Sequence, residues 1–153
     1  MANYDPTSRR PEPARLVLLD QVRQQEPGTK IRALGCVHAY HHQSATLVLQ
    51  LDFPNKHSNV STVLANIDNV LDTVNHDLLQ TGAWLNIVGY VRKPAKARTV
   101  PSSTNSQRSG RRSRRVTPLV DVLLIWSAGA VKLDDYQSAV RSYQDTASAS
   151  TST

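Results

Sequence analysis

Nine cationic residues crowd the stretch from Arg92 to Arg115: Arg92, Lys93, Lys96, Arg98, Arg108, Arg111, Arg112, Arg114 and Arg115, with no acid between them. The whole chain carries +6, yet the nine Lys and Arg outside this stretch face twelve Asp and Glu, so the remainder is net −3. Positive charge concentrated in this way suits a polyanion, because each phosphate contact releases counterions and demands no fixed geometry. Single-strand binding also uses aromatic rings for base stacking. Tyr40, Trp84 and Tyr90 are the candidates, and aromatics are otherwise sparse. Two plainer readings of the basic stretch stay open. Arg108–Arg115 (RSGRRSRR) has the composition of a nuclear-import signal, and a solvated, inert loop has the same look.

A second chemistry-bearing pattern lies near the C-terminus. Leu133, Tyr136, Val140 and Tyr143 recur at spacings of three, four and three, a seam suited to one facing surface. Asp134 and Asp135 fit the positive end of a helix that starts there. The seam would cover either a partner protein or its own domain. Cys36, His38, His41 and His42 invite a metal reading, but zinc sites need four ligands and usually a second Cys or His pair, which is missing here. No metal or cofactor is expected, and Cys36 reads as a small core residue. No Gly-x-Ser-x-Gly, P-loop or Rossmann glycine pattern occurs, so a non-enzyme is expected. No apolar run approaches the ~20 residues that span a bilayer. The lone cysteine and the polar start, MANYDPTSRRPEPAR, suggest an intracellular chain that contacts no membrane.

Strands must position these groups. Lys30–Tyr40 alternates and carries Gly35, a bend or bulge signal. Ala45–Phe53 follows after the polar turn His41–Ser44, with Leu47, Leu49 and Leu51 on one face. Residues 62–71 fit a third strand and residues 73–80 a short helix stopped by Gly82. Trp84–Arg92 and Leu119–Ser127 are the clearest strands, with inward faces Leu85, Ile87, Gly89, Val91 and Val120, Val122, Leu124, Trp126. Leu133–Tyr143 completes the order as an amphipathic helix. Five strands with a helix between the third and fourth is the layout of an OB-fold barrel, an all-β class. The predicted domain covers 15–144, with flexible tails at 1–14 and 145–153. A long basic loop at 93–118 joins strands four and five.

The phrases GTKIRALGCVHAY, LLQTGAWLNIVGYVRK and VDVLLIWSAGAVKLDDYQSAV resemble the fungal form of the Ten-one family, the smallest OB-fold subunit of the telomere-capping CST complex. The resemblance covers Leu16–Val140 and rests on Gly82–Val91 and Trp126–Tyr136 above all. It implies pairing with the Stn subunit through C-terminal helices and, through Stn, contact with the large CST subunit. It also implies protection of single-stranded telomeric DNA, a place in the nucleus at telomeres, and no small-molecule substrate. The arginine-rich loop departs from the compact family pattern, so a DNA role for it rests on charge alone. An RNA-binding OB domain and a pure protein-interaction module are the rival expectations.

Overall fold

The computed structural model describes residues 11–51, 61–93 and 116–149. Six strands form one closed sheet: β1 (Arg15–Leu16), β2 (Lys30–His41), β3 (Thr46–Gln50), β4 (Thr62–Asn66), β5 (Trp84–Arg92) and β6 (Leu119–Ser127). Five are the expected barrel strands. The sixth, β1, is a two-residue parallel addition beside the start of β2, which the sequence reading passed over.

Strand β2 closes the barrel. Its first seven residues pair antiparallel with β5, Lys30 opposite Tyr90 and Cys36 opposite Trp84, and its later part pairs with β3. Gly35 sits at this handover, where a Cβ would come within 3.0 Å of the Leu49 Cβ. The register irregularity itself lies three residues on, between Val37 and Ala39. The sheet then runs β3–β4 antiparallel, β4–β6 parallel and β6–β5 antiparallel, leaving β2 and β5 to meet.

Alternation sends Ile31, Ala33, Leu47, Leu49, Val63, Ala65, Leu85, Ile87, Val120 and Val122 into one fully enclosed core. A 3-10 turn at Leu19–Gln24, also unforeseen, adds Leu19 and Val22 to it. In place of the short helix expected at 73–80 there are two 3-10 turns, Asp68–Val70 and His76–Leu79. Side-chain competition for the backbone explains this. Asn66 accepts from the Asp68 N–H, Thr73 donates to the Val70 carbonyl, and Asn75 accepts from the Asp77 N–H. The third strand likewise stops at Asn66 rather than 71.

The expected inward face of the last strand is half wrong. Val120 and Val122 point inward, but Leu124 is 59% exposed and Trp126 37% exposed, while Ile125 packs on the core. The cause is a bulge. Gly89 pairs with Val122 and Val88 with Leu124, so Leu123 is the extra residue and alternation reverses beyond it. Gly89 permits the close approach, since a Cβ there would lie 2.1 Å from the Asp121 carbonyl oxygen.

Helix α1 (Leu133–Ala149) follows β6 and continues five residues into the segment expected as a tail. Alanine favours that continuation, and Thr146 and Ser148 return their hydroxyls to the carbonyls of Ser142 and Gln144. Ile87→Ala is expected to cost about 2–5 kcal/mol by cavity formation, and Gly89→Ala about 1–3 kcal/mol by overpacking. Leu124→Ala is expected to stay within ~0.5 kcal/mol as a surface change. Urea denaturation of the three variants checks this order; a Leu124→Ala loss equal to that of Ile87→Ala would refute the reversed face.

Candidate functional site

The outer side of the β2–β5–β6 sheet is where the foreseen helix seam meets the barrel. Outward positions on β2 and β5 would ordinarily be wet, yet Leu34, Cys36, Val88 and Asn86 are buried although the first three stand outside the barrel core. Burial pushes the Cys36 thiol up from its ordinary range. The buried apolar residues outside that core also include Leu18 and Val140 of α1, which is only 2% exposed. Helix α1 therefore docks on its own barrel along part of its length. Its fourth turn is tied down by amides: Gln144 donates to the Leu16 carbonyl at 3.1 Å and to Gln21 Oε1 at 2.8 Å, and Gln21 in turn accepts from the Leu18 N–H at 2.9 Å.

The four-residue stripe foreseen on this helix is thus divided. Val140 faces the barrel, Leu133 and Tyr136 are half-buried, and Tyr143 is 60% exposed. A straight helix turns 3.6 residues per cycle, so a 3.5-residue stripe drifts, and the docked side passes through Val140 to Gln144 rather than to Tyr143. Tyr136 carries a contradiction within it. Its hydroxyl is buried and, among the described residues, neither it nor Asn86 Oδ1 finds a hydrogen-bond partner. Burial pushes the Tyr136 phenol up, an effect partly opposed by the Arg32 guanidinium nearby.

Arg32 links the helix to an exposed apolar patch. Its guanidinium lies 5.2 Å from the centre of the Trp126 ring, a cation–π distance. Trp126 and Leu124 alternate outward past the bulge, with Leu123 beside them. Tyr136, Arg32, Trp126 and Leu124 so form one continuous outer surface. Sequence reasoning missed Arg32, and it assigned Trp126 and Leu124 to the interior; an unpaired residue in a β6–β5 register was the signal, and nothing in the composition of LVDVLLIWS announces it.

The nucleic-acid candidates distribute differently. Tyr90 is half-buried opposite Lys30 on β2 and Asp121 on β6. Arg92 donates from Nε to Asp121 at 2.7 Å with its side chain half exposed, and Lys93 is exposed just beyond. Lys96, Arg98, Arg111, Arg112, Arg114 and Arg115 lie outside the described residues, as does the Arg108 that completes the run. Tyr40 sits across from Leu47 on the inward side, half-buried against the core and edge-on to His42 at 4.5 Å between centroids. The outward positions of β3 and β4 hold Thr46, Val48, Gln50, Thr62, Leu64 and Asn66, with neither charge nor aromatic ring, and Thr46 and Gln50 among them are buried. No group of three or more His, Cys, Asp or Glu among the described residues is placed to hold a metal.

Comparison with known proteins agrees with this geometry. The family model described as Ten1, telomere capping, CST complex subunit, matches residues 6–141. The chain is 28% identical over 131 residues to protein ten1 of Schizosaccharomyces pombe, covering 86% of this chain and 94% of that protein. The crystal structure of the S. pombe Stn1–ten1 complex contains a chain that matches with a TM-score of 0.59 and 28% identity, over 88% of this chain and 94% of that one. A U. maydis replication protein A chain, solved bound to single-stranded DNA, shares the fold at a TM-score of 0.51 and 16% identity, over 86% and 90% of the two chains.

Three substitutions separate the docked side of α1 from its free side. Val140→Ala is expected to lower the stability of the lone chain by on the order of 1–3 kcal/mol. Tyr136→Phe removes an unpartnered buried hydroxyl and is expected to melt no lower than the parent, and Tyr143→Ala is expected to leave melting unchanged. Thermal melts of the isolated protein decide; a Tyr136→Phe variant that melts well below the parent would show that the hydroxyl is satisfied after all.

Proposed function

Because the chain belongs to the Ten1 family of telomere-capping CST complex subunits, we propose that it acts by binding and without catalysis, as the small partner of an Stn1-type subunit at chromosome ends in the nucleus. The single observation that carries the pairing is the exposed surface running from Tyr136 through Arg32 and Trp126 to Leu124. Large apolar groups rarely lie together in water without use, and Trp, Tyr and Arg are the residues enriched where binding energy concentrates. Helix α1 contributes with Leu133, Tyr136 and the free Tyr143, while Val140 acts indirectly by holding the helix on the barrel. Contact with the large CST subunit then runs through the Stn1-type partner.

The same reading gives the chain an auxiliary hold on single-stranded telomeric DNA, electrostatic rather than base-reading. The cations of Arg92–Arg115 supply it, with Tyr90 and Lys30 at its root and no stacking platform on the neutral β3–β4 face. Tyr40, turned toward the core, takes no part.

Two measurements on the heterodimer test these proposals separately. Trp126→Ala is expected to weaken pairing by about 2 kcal/mol or more with little change in the melting of the lone chain; unchanged calorimetric affinity would remove the patch from the interface. Deleting residues 96–115 is expected to flatten the dependence of DNA affinity on salt by ~0.7 per lost phosphate contact. An unchanged slope would leave a protein-interaction module with no DNA role for the segment. Equal competition by RNA of the same sequence would favour an RNA-binding role instead.

A further inference from the structure

We propose that Thr117 is a phosphorylation site for a proline-directed protein kinase, and that its phosphate weakens the hold of the basic segment on single-stranded DNA; the second half rests on the reading of that segment given above. Thr117–Pro118 is the one Ser/Thr–Pro dipeptide in the 153 residues. Thr117 is exposed, as is Val116 before it, and both stand outside any helix or strand. Pro118 has no N–H and disfavours helical backbone at the residue before it, so Thr117 is biased to the extended form that kinase clefts accept. The Pro118 carbonyl accepts from the Leu64 N–H at 3.0 Å and Leu119 opens β6, so the chain is anchored to the barrel immediately after the exposed Thr117.

What surrounds that point gives the modification its consequence. Arg92 pairs with Leu119 in the antiparallel register of β5 and β6, and Lys93 follows it at the same end. Both cations are exposed, and Arg92 already engages one carboxylate, that of Asp121. In the transfer, the γ-phosphoryl group of ATP passes to the Thr117 oxygen. The bond to ADP breaks, the new P–O bond forms, and the hydroxyl proton leaves to the base of the kinase. The product carries about −2 at neutral pH and three acceptor oxygens. It therefore offers Arg92 and Lys93 a phosphate in cis, of the same chemistry as the DNA backbone they would otherwise meet. Against the nine cations of the Arg92–Arg115 segment, this cancels the equivalent of roughly two phosphate contacts, a fall of ~1.4 in the salt slope.

The test uses the full chain paired with its Stn1-type partner, a purified proline-directed kinase with magnesium and ATP, and a fluorescent single-stranded oligothymidine. The expected result is one phosphate per chain, mapped to Thr117 by peptide mass and absent from Thr117→Ala. DNA affinity should fall on the order of tenfold at low salt, and the difference should vanish at high salt. No incorporation, or incorporation that Thr117→Ala does not abolish, overturns the site. Full phosphorylation with unchanged DNA affinity overturns the regulation, provided that deletion of residues 96–115 does lower affinity in the same assay. If that deletion also changes nothing, the DNA reading of the segment is what fails, and the regulatory half falls with it while the mapped phosphate upholds the site.

Discussion

A sheet can close on itself only if the strands that would otherwise end it find neighbours on both of their edges, and β2 bears that demand, with β5 along one edge and β3 along the other. It pairs with β5 through Cys36 and with β3 from Cys36 onward. To do so it must curve, and curvature in a strand needs either a missing side chain or an extra residue. Both devices appear within four residues, Gly35 against Leu49 and the irregularity at His38. The opposite wall answers with Gly89 against Asp121 and the extra Leu123. Closure pairs each of β2 through β6 on both sides and leaves the two-residue β1 at an end, which limits strand addition and leaves outer faces for partners to use.

The second bulge is what makes the candidate partner surface. Had β6 kept strict alternation, Leu124 and Trp126 would have filled the barrel and Ile125 would have stood outside. The extra Leu123 exchanges them, placing a partly exposed tryptophan beside Arg32. Helix α1 then shields the remainder of that face, but its grip is modest: one fully buried apolar side chain, two half-buried ones, and a glutamine pair at Gln21 and Gln144. Buried amides and an unpartnered tyrosine hydroxyl make an economical seat rather than a tight one. A surface of this kind retains enough apolar area to gain from a partner without unfolding alone.

Much of this was legible in the residues. Trp84–Arg92 and Leu119–Ser127 alternate so cleanly that their limits agree with the strands observed. The family phrases lie on the same elements, which is why resemblance and periodicity led to one fold. The failures have physical causes. Leu19 and Val22 belong to the core through a six-residue 3-10 helix, too short for any period to register. The Asp- and Asn-rich stretch after Asn66 has helical spacing, yet its side chains cap their own backbone and break it into turns. The reversal at Leu123 depends on which partner residue lacks a mate, a property of two strands and so invisible in either alone.

The distribution of charge, finally, argues for a division of labour within the chain. On many OB barrels nucleic acid lies across an outer face furnished with aromatic rings, but here the outward residues of β3 and β4 are hydroxyl, amide and aliphatic, and Tyr40 has turned inward. No base-reading chemistry is present there, whereas the cations are gathered at the β5–β6 end and in the segment that joins those strands. Phosphate contacts made by such a segment do not distinguish sequences. Selection of telomeric sequence would then fall to the other subunits, with this chain adding affinity and shape. A contact that depends on charge alone is also the kind that a single added phosphate can weaken, because it has no geometry to defend.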